Sequence, residues 1–261
     1  MFLYNLQMYL NVDSQFQKYE QTLSRFIHNF TTSGTLFGNG KRNTIKLFEL
    51  EEKTVNIKSF KTPNFYNKII YKFFRKSKAR RSFEYANKLL KHGIGTPQPV
   101  AFAESFTLLG LNKSYYISEH LECDLTFREL VEIPDFPENE IILRQFTQFC
   151  YTLHQKGIEF LDHSPGNTLI KKSNDGNYQF FLVDLNRMNF LTDMSFEKRM
   201  KNLSRLTPRK EMIAFMSHVY SDLYKIETEV NIFQKMWSYT DDFQKKYHRK
   251  IRLKKKFKFW K

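Results

Sequence analysis

The stretch Ile-Glu-Phe-Leu-Asp-His-Ser-Pro-Gly-Asn-Thr-Leu-Ile occupies residues 158–170, and Phe-Phe-Leu-Val-Asp-Leu-Asn-Arg-Met occupies residues 180–188. The pattern predicts a strand, a loop that holds Asp162 and Asn167, a hairpin, and an apolar strand that ends at Asp184. An aspartate that closes an apolar strand has a buried backbone and an exposed carboxylate. The stretch therefore predicts three oxygen-bearing side chains on loops that adjoin buried strands.

Three side chains of this kind are what a kinase-type phosphotransferase requires. One aspartate orients and deprotonates a hydroxyl, whereas an asparagine and a second aspartate hold magnesium against nucleotide phosphates. We therefore predict that Asp162 is catalytic and that Asn167 and Asp184 bind Mg²⁺, which prefers oxygen ligands. An isolated Asp-x-x-x-x-Asn is a weak signal, because both residues favour turns. The specificity comes from the following strand and its terminal Asp184.

A glycine-bearing turn over residues 33–43 lies upstream, between two alternating segments, 26–30 and 44–49, that we predict to be strands. Glycines let backbone amides approach phosphates closely, so Gly34 and Gly38 are candidate nucleotide-binding residues. A plain hairpin is the alternative. The turn is not a Walker loop, because no Gly-Lys-Ser/Thr follows it.

The next predicted strand, residues 54–61, contains Val-Asn-Ile-Lys and places Lys58 where the kinase strand has the lysine that contacts the phosphates. Lys61 is the competing candidate. The alternative for either residue is a solvated lysine at the edge of a sheet.

A helix is predicted over residues 65–91 from its apolar spacing. It carries Glu84, which would orient Lys58 through an ion pair, as kinases require. The alternative is a surface glutamate that pairs with Arg80 or Lys88 four residues away.

The pattern turns mainly helical after residue 120, and we predict two lobes. The second contains a helix predicted over 138–156 from its apolar spacing, and Gly157 ends it. The segments are an N-terminal extension over 1–25, a β-rich nucleotide-binding lobe over 26–120, a helical lobe with the catalytic loop and metal site over 121–244, and a tail over 245–261. In a kinase the boundary is the hinge, where main-chain atoms of Glu119 and Leu121 would pair with adenine. The predicted fold class is α+β, a two-lobed protein-kinase-like fold with a small antiparallel sheet followed by a mainly helical lobe.

The charge of the chain predicts an anionic partner, since 42 Lys and Arg stand against 27 Asp and Glu. Residues 245–261 contain ten Lys or Arg and no acidic residue. Their mixture of cations and aromatic side chains suits an anionic membrane surface. The alternative is a disordered solubilising or nucleic-acid-binding tail. A second basic run, residues 68–81, is interpreted as a solvated helix face.

The two cysteines, Cys123 and Cys150, have neither a disulfide nor a metal-site spacing, and we expect both to be reduced residues of the core. Residues 1–10 lack the basic start and cleavage site of a signal peptide, and no stretch reaches the length of a membrane span. We expect a cytoplasmic protein whose membrane contact, if it has one, is peripheral.

The motifs together resemble the bacterial lipopolysaccharide core kinase family (Kdo/WaaP), which has the protein-kinase-like fold. The family loop His-Gly-Asp-Leu-His-Pro-Gly-Asn appears here as Phe-Leu-Asp-His-Ser-Pro-Gly-Asn over 160–167. Its metal-binding Asp-x-x-Arg appears as Asp-Leu-Asn-Arg over 184–187. Residues 78–100 are similar to its Arg/Glu-rich helix and Pro-x-Pro strand entry, and the resemblance spans roughly residues 30–210.

The resemblance implies transfer of phosphate from ATP, with Mg²⁺, to a Kdo or heptose hydroxyl of the lipopolysaccharide inner core. The implied partners are ATP, a lipid-linked or core sugar acceptor, and an anionic membrane surface contacted by residues 245–261, at the cytoplasmic face of the inner membrane. We expect no specific nucleic acid, and the oligomeric state is not predicted.

Two departures from the family pattern bear on this interpretation. Phe160 replaces the usual histidine of the loop, so the hydrogen bond of that histidine is lost. Leu185 and Asn186 replace Phe-Gly, which argues against the regulatory flip of protein kinases. The alternatives are a protein Ser/Thr/Tyr kinase, a small-molecule phosphotransferase, a pseudokinase and a basic nucleic-acid-binding protein. The short segment between Asp184 and the helix expected near Phe196 disfavours a protein substrate.

Overall fold

The computed structural model describes residues 8–38 and 43–258. The described chain divides into two compact units. The first contains the residues up to Glu122 together with Asp184–Asn186. The second contains Cys123–Val183 and the residues from Arg187 onward.

The first unit is built on a six-stranded sheet in which every neighbouring pair is antiparallel. Its strands are β1 (Met8–Val12), β2 (Thr35–Phe37), β3 (Asn43–Leu50), β4 (Lys53–Phe60), β5 (Pro99–Thr107) and β6 (Gly110–Glu119). Their order in the sheet is β1-β5-β6-β4-β3-β2. The helices of this unit are α1 (Glu20–His28), α2 (Phe65–Phe73) and α3 (Lys78–Lys91).

The alternation of side chains along β4 gives the sheet its two faces. Val55 and Ile57 are buried in a core to which α1 contributes. Phe60 is buried on the opposite face, in a cluster to which α3 contributes. Lys58 has the same parity as Phe60, and its Nζ lies 5.4 Å from the centre of that ring. The β4 register therefore holds Lys58 on the α3 face of the sheet.

The N-terminal part of the chain differs from the prediction. The segment predicted as an extension, residues 1–25, contributes β1, which pairs with β5, and most of α1; residues 1–7 lie outside the described range. The predicted strand at 26–30 is the end of α1 and the turn after it. The buried Leu23 and Ile27 are spaced i, i+4, so the helical period prevailed over a short alternation.

The predicted helix over 65–91 is two helices, because Ser77 caps a new one. Its hydroxyl accepts a hydrogen bond from the Arg80 N–H at 3.1 Å, as serine does at helix N-termini. The break separates α2 from α3, and α2 contains no buried residue.

The second unit is mainly helical. Its helices are α4 (Phe127–Glu132), α5 (Asn139–Gln155), α6 (Phe196–Leu203), α7 (Lys210–Leu223) and α8 (Glu229–Lys258). Its strands are β7 (Leu125–Thr126), β8 (Ile158–Phe160), β9 (Thr168–Lys172), β10 (Tyr178–Leu182) and β11 (Met188–Phe190). They form a three-stranded sheet, β10-β9-β7, and a pair, β11-β8.

The buried helix α5 leads directly into β8 and the loop of Asp162. Ile142, Phe146 and Cys150 of α5 are fully buried in the core of this unit. Cys123 is exposed, so the expectation of a core position is correct for Cys150 and wrong for Cys123. Gly157 ends the helix at φ +67°, and a Cβ there would lie 1.9 Å from the carbonyl oxygen of Leu191. Only glycine fits this turn without a backbone shift, so the position of β8 and of the loop after it is fixed.

The basic segment at the C-terminus is helical. Residues 245–258 continue α8, and the predicted aromatic positions 259 and 260 lie outside the described residues. Lys and Arg are good helix formers, and Lys245 pairs with Asp241 one turn earlier. None of the helices over 8–38 and 43–258 is both long and apolar enough to cross a bilayer.

Candidate active site

Lys58 of β4 and Asp184 are joined by an ion pair within the first unit. The Nζ of Lys58 donates to Oδ1 of Asp184 at 2.8 Å. The lysine side chain is only 15% exposed, so the carboxylate is its means of neutralising a mostly buried charge. Of the two candidates, Lys58 is therefore the lysine that meets a predicted metal ligand.

Asp184 presents one carboxylate oxygen for a further ligand. Its Oδ1 also accepts from Nδ2 of Asn186 at 2.7 Å, and no donor to Oδ2 is found among the described residues. Asp184 adopts φ +58°, a left-handed conformation that aspartate tolerates better than most residues and that is often found at functional sites. The two donors and the backbone conformation together fix the direction of this carboxylate.

Asn167 is oriented by its own loop in the second unit. Its Nδ2 donates to the backbone carbonyl of Asp162 at 2.8 Å, and its backbone carbonyl accepts from the N–H of Val183 at 3.0 Å. Because the amide nitrogen is used inside the loop, the side-chain oxygen of Asn167 is left as an acceptor. An asparagine oxygen is a ligand that a hard cation accepts.

These donors fit magnesium. No group of three or more His, Cys, Asp or Glu side chains that could hold a metal by themselves occurs in the described ranges. Magnesium does not need one, because it binds one or two protein oxygens together with phosphate oxygens and water. Asp184 in the first unit and Asn167 in the second each have a side-chain oxygen that could contribute to such a set.

Asp162 is held by two arginines. Its Oδ1 accepts from Nη1 of Arg205 at 2.9 Å and from Nη1 of Arg187 at 3.2 Å. Arg205 also donates to the carbonyl of Leu161 at 2.9 Å, and its guanidinium lies 5.4 Å from the ring centre of Phe243 on α8. Both bonds to the aspartate use the same oxygen, so Oδ2 remains for an acceptor hydroxyl.

Neither arginine was predicted as a site residue. Arg187 is the arginine of the Asp-x-x-Arg motif, to which the sequence assigns no role, and it directly precedes β11. Arg205 follows α6, far from the loop in sequence, and no motif marks it. Only the folded structure shows that Arg205 contacts the loop of Asp162.

The structure does not contain the predicted ion pair between Glu84 and Lys58. Glu84 binds Nζ of Lys76 at 2.8 Å and Nε of Arg80 at 3.0 Å, so the alternative of pairing within the helix is correct for Arg80. Burial raises the pKa of Glu84, but its hydrogen bonds with Lys76 and Arg80 outweigh burial and the net shift is downward. The break before α3 brings Lys76 to this carboxylate, while Lys58 uses Asp184 instead.

The two candidate glycines have different surroundings. Gly34 has φ +80°, and a Cβ there would lie 2.5 Å from the ring of Phe48, so packing in the hairpin already requires glycine. Gly38 has φ +76° and has nothing within 4 Å of a Cβ. Residues 39–42 of this turn lie outside the described residues. Packing therefore explains the glycine at position 34 and does not explain the glycine at position 38.

The predicted hinge residues follow β6. The carboxylate of Glu119 binds Lys53, and its N–H donates to the carbonyl of Gln98 at 2.9 Å. The N–H of His120 donates to Thr54 at 2.8 Å. Leu121 makes no backbone hydrogen bond within the part of the chain that is described, so its main chain is available to a ligand.

Two buried histidines of the second unit lie near the loop, and of the two only His154 has hydrogen-bond partners for its ring nitrogens among the described residues. The Nδ1 of His154 lies 2.8 Å from the hydroxyl of Tyr220 and its Nε2 lies 3.3 Å from Oδ1 of Asn202, so the tautomer with a proton on Nε2 satisfies both. His163 lies between the rings of Phe146 and Phe160. Burial lowers the pKa of His154 to about 3 and that of His163 to about 4, so both are neutral at pH 7.

Comparisons with known proteins agree with this arrangement. A family model described as the lipopolysaccharide kinase (Kdo/WaaP) family matches residues 32–226. No curated protein matches the chain. The solved structure described as "WaaP in complex with acyl carrier protein" is similar to this chain with a TM-score of 0.63 and 13% identity, over 92% of this chain and 98% of that chain. At this identity the likeness concerns the fold, and it confirms the predicted α+β, kinase-like class.

Proposed function

Since the chain belongs to the lipopolysaccharide kinase (Kdo/WaaP) family, a family of phosphotransferases that act on sugar hydroxyls, we propose that it transfers phosphate from ATP to a Kdo or heptose hydroxyl of the inner core. The observation that carries the proposal is the loop of Asp162. Its carboxylate is held by Arg205 through one oxygen, and the loop is fixed by Asn167. The other oxygen of Asp162 is left to receive a proton from the acceptor hydroxyl.

The roles follow from the hydrogen bonds. Asp162 orients the acceptor hydroxyl and takes its proton as the oxygen attacks, a contribution that depends on position more than on basicity. Asn167 and Asp184 would hold Mg²⁺ through Oδ1 and Oδ2 respectively. That ion, when bound, would neutralise charge on the transferred phosphate and leaving group.

Lys58 would act on the nucleotide phosphates. In this structure its charge is neutralised by Asp184 at 2.8 Å. Because this bond holds the lysine in place, its Nζ would contact a phosphate oxygen of bound ATP. Main-chain groups of Leu121, with those of Glu119, are the proposed adenine contacts.

Incubation with ATP and purified lipid A–core acceptors that carry Kdo alone or Kdo with heptose, read by mass spectrometry, tests the function and identifies the sugar. We expect Asp162→Ala to lower turnover by about a thousandfold or more, as loss of a general base does when positioning is lost with it, while nucleotide binding remains. Asp135→Asn, a surface change on another loop, is the matched control and should retain activity. Near-normal transfer by Asp162→Ala would refute the assignment.

The location proposed for the enzyme is the cytoplasmic face of the inner membrane, with contact through residues 245–261. Support comes from the ten basic residues of this segment, each of which contributes about 1 kcal/mol near an anionic surface. Removal of residues 245–261 should weaken sedimentation with anionic vesicles. Unchanged sedimentation would remove the tail from the proposal.

The WaaP structure is described as a complex with acyl carrier protein. Native mass spectrometry of the untreated preparation would show whether this chain also purifies with a carrier protein, because the bound protein would add its own mass to that of the chain.

A further inference from the structure

Helix α2 carries its apolar side chains on the face that points to solvent. Phe65, Ile69 and Phe73 follow one another at i, i+4, i+8, and Tyr66 and Ile70 flank this line, so all five share one side of the helix. None of them is buried. Tyr66 is 77% exposed and Phe73 is 66% exposed. A surface helix of a globular protein normally shows the opposite orientation.

The polar side of α2 packs against the β5–β6 hairpin. The Nζ of Lys72 donates to the carbonyl of Leu108 at 3.0 Å. A Cβ on Gly110 would lie 2.3 Å from the backbone carbonyl of Lys68, so glycine is what allows the helix to approach so closely. These contacts fix the direction in which the aromatic face points.

The exposed apolar surface extends past the helix. Phe74, directly after α2, is 83% exposed, and Leu108 and Leu109 at the tip of the hairpin are 84% and 56% exposed. We call this set, from Phe65 to Phe74 together with Leu108 and Leu109, the α2 surface. A contiguous exposed apolar surface of this kind marks a binding site for a protein or a membrane.

The charge around the α2 surface identifies the occupant. Lys68, Lys72 and Arg75 lie on α2 or directly after it, and no ion pair of these three is found among the described residues. Lys76 and Arg80, by contrast, are paired with Glu84. A helix with aromatic residues on one side and lysines on the other is the type that lies in the membrane interface, with its apolar face in the headgroup region and its cations near anionic lipid.

We propose that the α2 surface is a membrane-docking surface that inserts its aromatic side chains into an anionic phospholipid bilayer. This inference rests on the proposed function, because an enzyme whose acceptor is anchored in a bilayer must act at that bilayer. It assigns Lys68, Lys72 and Arg75 of the basic run at 68–81 to the lipid headgroups instead of to a solvated face. The other cations of the run are not part of the proposal, since Lys76 and Arg80 pair with Glu84. It is independent of residues 245–261, which belong to the other unit.

Vesicle sedimentation tests the proposal, with phosphatidylcholine alone and with an equal part of phosphatidylglycerol. The wild-type chain should bind the anionic vesicles and bind the neutral ones weakly. Tyr66→Ser, Phe73→Ser and Phe74→Ser combined should weaken binding by about tenfold or more, and Arg75→Gln by about fivefold. Ile226→Ser with Val230→Ser, which are exposed apolar residues of the other unit, is the matched control and should bind as wild type does.

Fluorescence provides a second measurement that does not depend on weakened binding. With Trp237 and Trp260 replaced by phenylalanine so that no other tryptophan emits, Phe74→Trp should show blue-shifted emission with anionic vesicles and quenching by brominated lipid. Ile226→Trp in the same background should show neither. Emission of Phe74→Trp that is unchanged by vesicles would overturn the proposal. So would a wild-type dimer in sedimentation velocity that the triple serine variant converts to monomer, since a second copy would then be the occupant.

Activity on a soluble acceptor separates this proposal from the function it rests on. The triple serine variant should phosphorylate delipidated core oligosaccharide at the wild-type rate and intact lipid-anchored acceptor more slowly. If no form of the chain phosphorylates either acceptor, the proposed function fails while the vesicle result still decides the docking. If all forms are active but bind vesicles equally, the docking fails alone.

Discussion

Replacing Arg205 by alanine should lower turnover without weakening nucleotide binding. Arg205 makes two hydrogen bonds at 2.9 Å, one to Oδ1 of Asp162 and one to the carbonyl of Leu161, and so fixes both the carboxylate and the backbone beside it. A hydrogen bond to a charged group contributes about 1.5–3 kcal/mol. The two side chains are 34% and 21% exposed, so solvent screening places the effect at the lower end.

A loss of about 1.4–2.7 kcal/mol in transition-state stabilisation corresponds to a decrease in kcat of about 10- to 100-fold. The KM for ATP should change little, because Arg205 contacts Leu161 and Asp162 and neither is proposed to bind the nucleotide. Nη1 of Arg205 donates both bonds, so Arg205→Lys, which keeps the charge on a shorter side chain without the planar guanidinium, should restore part of the rate. Arg187→Ala should cost less, since its bond to Asp162 is 3.2 Å and its side chain is 52% exposed.

A double-mutant cycle tests whether Arg205 acts through Asp162. Steady-state rates are measured for Arg205→Ala, Asp162→Asn and the double variant with soluble acceptor. If the arginine positions the aspartate, its removal should have little further effect once the carboxylate is gone. An equal loss in both backgrounds would refute the reasoning, as would a rise in KM for ATP that accounts for the whole loss of kcat/KM.

Three further predictions concern the metal and the stability of the second unit. Asp184→Asn should raise the Mg²⁺ concentration for half-maximal activity by about tenfold or more, since a carboxylate ligand is lost; an unchanged Mg²⁺ titration would contradict its role. Between about pH 6.5 and pH 5 the two histidines bind protons in the unfolded state, whereas buried His154 and His163 of the folded state do not. The free energy of unfolding measured in urea should therefore fall by about 2 kcal/mol for each histidine as the pH is lowered over this range. His163→Phe should remove the part of this fall that is due to His163. Gly157→Ala should destabilise the chain by about 3 kcal/mol, because a Cβ meets backbone at 1.9 Å, whereas Gly176→Ala, also at positive φ but in open space, should cost about 1 kcal/mol.

The elements that the sequence predicted well are those with long, consistent patterns. The helix expected over 138–156 is α5 (Asn139–Gln155), and Gly157 ends it. The apolar strand expected to end at Asp184 is β10 (Tyr178–Leu182), which ends two residues before that aspartate. Both follow from local rules: helical spacing closed by a left-handed glycine, and an apolar strand closed by a polar residue.

The elements that were missed depend on partners distant in sequence. β1 is a strand because β5 pairs with it, and residues 8–12 show no strong pattern of their own. The carboxylate of Glu84 pairs with Lys76 and Arg80, which are close to it in sequence. The predicted pair of Glu84 with Lys58 is not formed. Arg205 could not be found, because nothing in residues 204–209 indicates that the segment contacts the loop.

Phe160 stands where the family that this chain resembles has a histidine, and arginines hold the nearby Asp162. Phe160 is fully buried, and its carbonyl accepts from Nδ2 of Asn202 at 2.8 Å, so this position serves packing and anchors the backbone through α6. A phenylalanine cannot hydrogen-bond the backbone or carboxylate of the loop. Arg205, which follows α6, supplies those bonds to Leu161 and Asp162 instead. If this exchange is correct, Phe160→His should relieve part of the dependence on Arg205, so that Arg205→Ala costs less activity in that background; an undiminished loss would show that the two positions act independently.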